Sequence, residues 1–151
     1  MNSNLYEHDF NAWIHSQISL LTQGKVSELD IEHLVEELED MRKSNLNELE
    51  NRYVILIAHL LKWQFQCEQQ SSRWLGTINE QRVLLSRLIR KNPSLKTKVN
   101  EAIQDVYPDA LDLAIRYTNL DETTFPAVCP YTHEQLLDNK FFPSNSYQTI
   151  H

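Results

Sequence analysis

Tyr53-Val54-Ile55-Leu56-Ile57-Ala58-His59-Leu60-Leu61 is apolar nearly all round, and Lys62-Trp63 come directly after it. Neither glycine nor proline interrupts the chain from Lys25 to Leu75. Upstream, Ile31, Leu34, Val35, Leu38 and Met41 recur at helical spacing, and Leu49, Tyr53, Leu56, Leu60 and Trp63 continue the stripe. A helix that is apolar on every side must be surrounded on every side. Residues 53–63 therefore read as the central helix of a core, with His59 and Trp63 shielded from water. The fold this implies is all-α: an up-and-down bundle of four to five helices, with one long second helix and a short docked C-terminal helix.

The composition agrees. The chain has 151 residues, 41% hydrophobic and 23% charged, which is enough apolar material for a core. Two glycines and five prolines are too few for the turns of an all-β protein. No run of about 18 apolar residues is present, so no membrane span is expected. Met1-Asn2-Ser3-Asn4-Leu5-Tyr6-Glu7 has neither the basic start nor the apolar stretch of a secretory signal. Two cysteines, Cys67 and Cys129, fit neither a disulfide framework nor a zinc cluster. A cytoplasmic protein with reduced thiols is the expectation, organised as one helical domain over 1–143 with a flexible tail over 144–151.

Working outward from the central helix, Leu5 to Gln23 form a first segment, with Asn4 as cap, Glu7 as its capping-box partner and Gly24 as the left-handed stop. Phe10, Trp13, Ile14, Ile18 and Leu21 mark its packed side. Asp9, one turn before Trp13, falls on that side and needs a partner there. Ser27 or Asp30 caps the second helix. Its roughly 40 residues would span about 60 Å, against roughly 40 Å for a compact domain of this size. It must break near Ser44-Asn45-Leu46-Asn47 or protrude to pair with another subunit. One long helix is favoured, its acidic half packed on the first helix. A third helix runs from about Ser72 to Lys91, with Gly76 admitting close packing. Pro93 opens a fourth helix, Pro108 breaks or kinks it, and the period restarts to about Asn119. After an extended loop, Thr132 and Gln135 form a capping box for a short helix, and Leu136, Leu137, Phe141 and Phe142 anchor the end of the chain.

Charge is unevenly spread. Residues 28–50 hold nine acids and two bases, and residues 62–98 hold eight bases and two acids, within a net charge of −7. Such segments suit solvated helix faces, or pairing with each other within one chain or between chains. A nucleic-acid partner would use the basic third helix and the start of the fourth: Arg82, Arg87, Arg90, Lys91, Lys96 and Lys98. No aromatic residue interleaves these bases and the chain is acidic, so nucleic acid is disfavoured.

Catalytic signatures are absent. Two glycines cannot build a phosphate-binding loop, and no Gly-x-Ser-x-Gly elbow occurs. A Cys–His nucleophile pair stays open, although Cys67 lies on the Tyr53–Trp63 stripe and reads as a small buried hydrophobe. His33, Glu37 and Asp40 share a helical face, and His33 with Glu36 makes a His-x-x-Glu pair, so His33, Glu37 and His59 form the candidate metal set. His59 matches Glu37 in angle but lies about 33 Å further along a straight helix, so the two meet only through a fold-back or a second chain. The commoner role for His59 is a buried neutral imidazole with one hydrogen-bonded partner. Lys62 would snorkel toward the acidic half, Trp63 and Trp74 would stack, and Arg82 would pair with Glu36 or Glu37.

Asp9-x-x-x-Trp13, Glu36-Glu37, His59-Leu60-Leu61-Lys62-Trp63-Gln64, Trp74-x-x-Thr77-Ile78-x-x-Gln81-Arg82, Pro93-Ser94-Leu95 and Cys129-Pro130-Tyr131 with Gln135-Leu136-Leu137, in this order, resemble the twenty-ninth domain-of-unknown-function family over residues 5–143. The resemblance implies a small all-helical bacterial protein of a kind abundant in cyanobacteria, with no established activity and no catalytic residue to carry over. It marks Asp9, Glu36, Glu37, His59, Trp63, Trp74 and Gln81 as positions the family pattern uses; with Arg82 they form the candidate binding or buried polar network. Cys67 stands where the pattern often has proline. The functional expectation is a non-enzymatic protein-interaction or self-associating helical module, with a protein partner or homo-oligomer. A metal-dependent enzyme or metal-binding protein using His33, Glu36, Glu37 and His59 is the alternative, and nucleic-acid binding is a third.

Overall fold

The computed structural model describes residues 2–144, apart from the side chains of residues 2–4 and 67. The residues expected to form the tail beyond Ser144, and the Cys67 side chain, lie outside that description. Among the described residues there are six α-helices and no strand: α1 Asn2–His8, α2 Phe10–Thr22, α3 Ile31–Phe65, α4 Ser72–Lys91, α5 Val99–Thr118 and α6 His133–Leu137. The all-α expectation holds, and α3 is the long helix, unbroken through Ser44-Asn45-Leu46-Asn47. The chain forms two compact units, Met1–Ser44 and Asn45–His151.

The first unit departs from the sequence reading at its start. The expected single segment is two helices, because Asp9 leaves the helical path and caps α2, its carboxylate accepting from the Ala12 N–H at 3.0 Å. Asn4, expected as the cap, falls inside α1, and Asp9 faces solvent instead of the packed side. Gly24 stops α2 as expected. With φ +71 it lets its own N–H reach the Leu21 carbonyl and the Lys25 N–H reach that of Leu20, the paired bonds that satisfy orphan carbonyls at a helix end. A 3-10 turn, Val26–Glu28, leads to Asp30, whose carbonyl accepts the first helical bond of α3, from Leu34.

The second unit holds the core. Leu49, Tyr53, Leu56, Ile57, Leu60 and Leu61 of α3 are wholly buried, packed with Ile78 and Leu85 of α4, Ala110 and Ala114 of α5, and Leu136 of α6. Within the stretch 53–63, Tyr53 and Leu56–Lys62 are buried as read, while Val54, Ile55 and Trp63 are only half-buried. Ser71 caps α4. Gly76 meets open space, so it admits no close neighbour. Pro93 opens a 3-10 segment, Pro93–Lys98, before α5 begins. Pro108 lies inside α5 and does not end it. A proline forfeits one backbone bond, and the buried Val106, Tyr107 and Ala110 around it hold the helix against the core. Asn119, with φ 58, closes α5. The Thr132–Gln135 capping box forms on α6 as read, both reciprocal bonds being present.

Candidate functional site

Two arrangements invite function, one in each unit. In the first, Asp30 is a hub. Its Oδ2 accepts from Trp13 Nε1 at 3.0 Å and meets His33 Nδ1 at 2.7 Å, while its backbone N–H donates to Gln17 Oε1 at 2.9 Å. Burial works to raise the Asp30 pKa, but the bonds from His33 and Trp13 outweigh it and hold the carboxyl below its usual value. The same bond raises the His33 pKa. Tyr6 stacks on the His33 ring at 3.9 Å and donates its hydroxyl to Glu37 at 3.2 Å. Desolvation, then that bond, pushes the phenol up to about 12.

This clamp turns the Trp13–Gln17 side of α2 inward and leaves the adjoining side without cover. Phe10, Ile14, Ile18 and Leu21 are exposed, Ile18 by 55%. On α3, Ile31, Val35, Leu38 and Met41 are exposed too, Leu38 by 62%. Between them runs a groove of about 500 Å³, almost wholly apolar, with Ile14, Ile18, Leu34, Leu38 and Met41 among its lining residues. The one-sided stripe from Ile31 to Met41 is an outer face, on which Leu34 is half-buried.

In the second unit, Lys62 is buried and its Nζ lies 4.4 Å from the ring centroids of both Trp74 and Tyr117. It neither snorkels nor meets an acid: it is held by two aromatic faces, and desolvation depresses its pKa. His59 is 9% exposed, its Nδ1 2.9 Å from the Ile55 carbonyl and its ring edge-on to Tyr117. Burial lowers its pKa and the nearby Lys62 charge adds to the effect. The neutral, singly bonded imidazole is the role expected of it. Trp63 packs on Phe142, not on Trp74. Arg82 is wholly buried, with Nε donating to the Leu136 carbonyl at 2.8 Å and Nη2 to the Gln135 carbonyl at 3.2 Å. Its partners are the terminal carbonyls of α6, where the helix dipole favours a cation, and not Glu36 or Glu37. Gln81 accepts from Arg52, and Arg52 also pairs with Glu48.

The expected residues are therefore spread over distinct structural tasks. Asp9 caps a helix, Glu37 holds Tyr6, Glu36 is exposed, and His33 serves Asp30. Among the described residues no group of three or more His, Cys, Asp or Glu side chains is placed to hold a metal ion; the candidate set His33, Glu37 and His59 reads as meeting only through a fold-back or a second chain. The Cys129 thiol points at the Tyr131 carbonyl, 3.6 Å away, and burial raises its pKa, which opposes a nucleophilic thiolate. Arg82 is withdrawn from any basic surface, while Arg87, Arg90, Lys91, Lys96 and Lys98 remain exposed. Among the described residues no helix is long and apolar enough to cross a membrane. Sequence reasoning missed the Asp30 hub, although it named Asp30 as a cap, and missed Tyr117 as the second wall around Lys62.

The family described as Domain of unknown function DUF29 matches residues 5–142, and the chain belongs to that family. No curated protein and no solved structure matches it.

Proposed function

We propose that this DUF29 protein is a non-enzymatic interaction module, which presents the apolar face of its first unit to an amphipathic helical face of another polypeptide. The carrying observation is the groove between α2 and α3. Six large exposed apolar side chains line it, about half of each in water, and Ile31 and Val35 stand exposed on α3 outside its lining, beside a clamp that fixes the two helices. Exposed apolar surface of this extent and continuity marks an interaction site. A groove lined at i, i+4 and i+7 spacing suits a helix laid into it. The polar groups nearby have been drawn into capping and clamping, which supports recognition over chemistry. Two cysteines in the chain suit a compartment that keeps thiols reduced, so we place the module in the cytoplasm.

A photo-crosslinking amino acid at position 38 tests the reading in the cells that make the protein, with position 43 as control. Lys43 is exposed and lies on another side of α3. A discrete adduct, identified as one polypeptide by mass spectrometry, is expected at 38 and not at 43. Absence of any polypeptide adduct at 38 refutes the interaction reading.

A further inference from the structure

We infer that the occupant of this face is a second copy of the chain, the α2–α3 pairs of two copies closing into a four-helix bundle. The inference rests on the interaction reading above and names its partner. The first observation is a deficit of burial. Among the described side chains up to Ser44, only Trp13 and Gln17 are buried. A helical pair of this size has no core of its own, and a second such pair supplies the missing half.

Area is the second. The eight exposed apolar side chains of α2 and α3 leave on the order of 800 Å² per copy uncovered, which is the per-partner share of a standard specific interface. Pairing two copies about a two-fold axis puts the same face on both sides, so one patch of this size is sufficient. Ile31, Leu34, Leu38 and Met41 also alternate at intervals of three and four, the spacing that seats knobs into holes across a bundle.

Charge is the third, and it selects among occupants. Phe10–Thr22 contains no Asp, Glu, Lys or Arg. The acids lie along α3: Glu32, Glu36 and Glu39 are turned away from the groove stripe by the helical period, while Glu37, held by the Tyr6 hydroxyl, and Asp40 line the α3 wall. A strongly basic partner helix would find acids on one wall only. In a two-fold pairing the neutral α2 of one copy lies beside the acidic α3 of the other, and the two acidic helices sit on the diagonal, where like charges are furthest apart. The face is built for a partner that brings a neutral apolar helix and an acidic one together, and this chain is such a partner.

Sedimentation equilibrium of the full chain over a dilution series tests it. The native chain is expected to show twice the chain mass at high concentration and to dissociate on dilution. Leu38→Asp, at a site 62% exposed in the single chain, is expected to keep helicity and to weaken association roughly 100-fold or more, because two-fold pairing buries the new charge twice. Ile18→Asp is the independent variant on α2 and should act alike; Lys43→Asp should leave the dimer intact. A native chain that stays monomeric at every concentration overturns the second-copy assignment. So does a dimer that both face variants leave unchanged. The crosslink at position 38 separates the two levels: an adduct to a different polypeptide from a monomeric chain retains the interaction reading and removes this one, and no adduct removes both.

Discussion

Replacing Arg82 by methionine pits two large effects against each other, and the structure says which wins. The guanidinium is wholly buried, and two of its nitrogens serve the carbonyls of Leu136 and Gln135. Hydrogen bonds to a charged group each contribute about 1.5–3 kcal/mol. Against them stands the cost of burying a charge, several kcal/mol, aggravated here because Nη1 has no partner and desolvation pulls the Arg82 pKa down. Methionine removes both sides of that balance and fills most of the volume. What it cannot do is satisfy the Leu136 carbonyl, which sits at a buried helix end. The Gln135 carbonyl keeps the Asp138 N–H. One orphaned buried carbonyl costs about 1–3 kcal/mol, and the contact of the guanidinium with Phe142, 5.2 Å away, adds a little. Arg82→Met is therefore expected to destabilise the second unit by about 2 kcal/mol, lowering its melting temperature by roughly 10 °C for a unit of this size. Arg82→Lys, which keeps the charge but loses the fork, should cost at least as much. Hydrogen exchange should show the loss of protection concentrated in α6. A methionine variant that melts at or above the native temperature would mean that desolvation dominates, and the assignment of Arg82 as the anchor of α6 would fall.

Lys62→Met should change stability by no more than about 1 kcal/mol in thermal melts, since the lost cation–π attraction and the relieved desolvation nearly cancel, whereas Lys62→Glu against the same two ring faces should cost more than about 3 kcal/mol. Leu56→Ala empties a wholly buried position of α3 and should cost about 2–5 kcal/mol in denaturant unfolding of the second unit. Acidification from about pH 8 to about pH 5.5 should move the two units in opposite directions. The raised His33 pKa gives stability that is present below the unfolded value of 6.5 and lost as pH rises through the folded value; the lowered Asp30 pKa gives stability present above 3.8 and lost as pH falls through its folded value, so the pair is strongest between these limits. The depressed His59 pKa gives stability that is present above 6.5 and lost as pH falls through its folded value, so hydrogen exchange should slow around Asp30 while it quickens around His59; parallel changes would refute both assignments. Trp13→Phe removes the indole bond to Asp30 and should loosen the clamp by about 1 kcal/mol, visible as faster exchange at the start of α3.

How legible these features are in the sequence depends on whether their cause is local. The Thr132–Gln135 box and the Gly24 stop each arise from a few neighbouring residues, and both stand as read. So does burial of Tyr53 and of Leu56–Lys62, with Val54 and Ile55 half-buried between them, because a helix apolar on nearly every side leaves few solutions. Asp9 misleads because the apolar period runs through it undisturbed, while its carboxylate captures a backbone N–H and restarts the helix. Pro108 misleads in the other direction: the local cost of one lost bond is set against tertiary packing that the local sequence does not display. The Asp30 hub joins residues 17 and 13 positions away, and spacing along the chain carries no sign of such a meeting.

The stripe from Ile31 to Met41 is the instructive case. Its period is the same as that of the buried stripe further along α3, yet Leu49, Tyr53 and Leu56 are wholly covered while Val35, Leu38 and Met41 are exposed. Helical period fixes which residues share a face and is silent on what covers the face. Along α3 the covering is supplied by α4, α5 and α6 for the later turns, and the first unit offers only α1 and α2 to the earlier ones. Selection for folding alone would let charges spread across an uncovered stripe, as they do at Glu32, Glu36 and Glu39 on its far side. That the stripe stays apolar where no described residue of the first unit covers it is the physical reason behind the proposal that another polypeptide does.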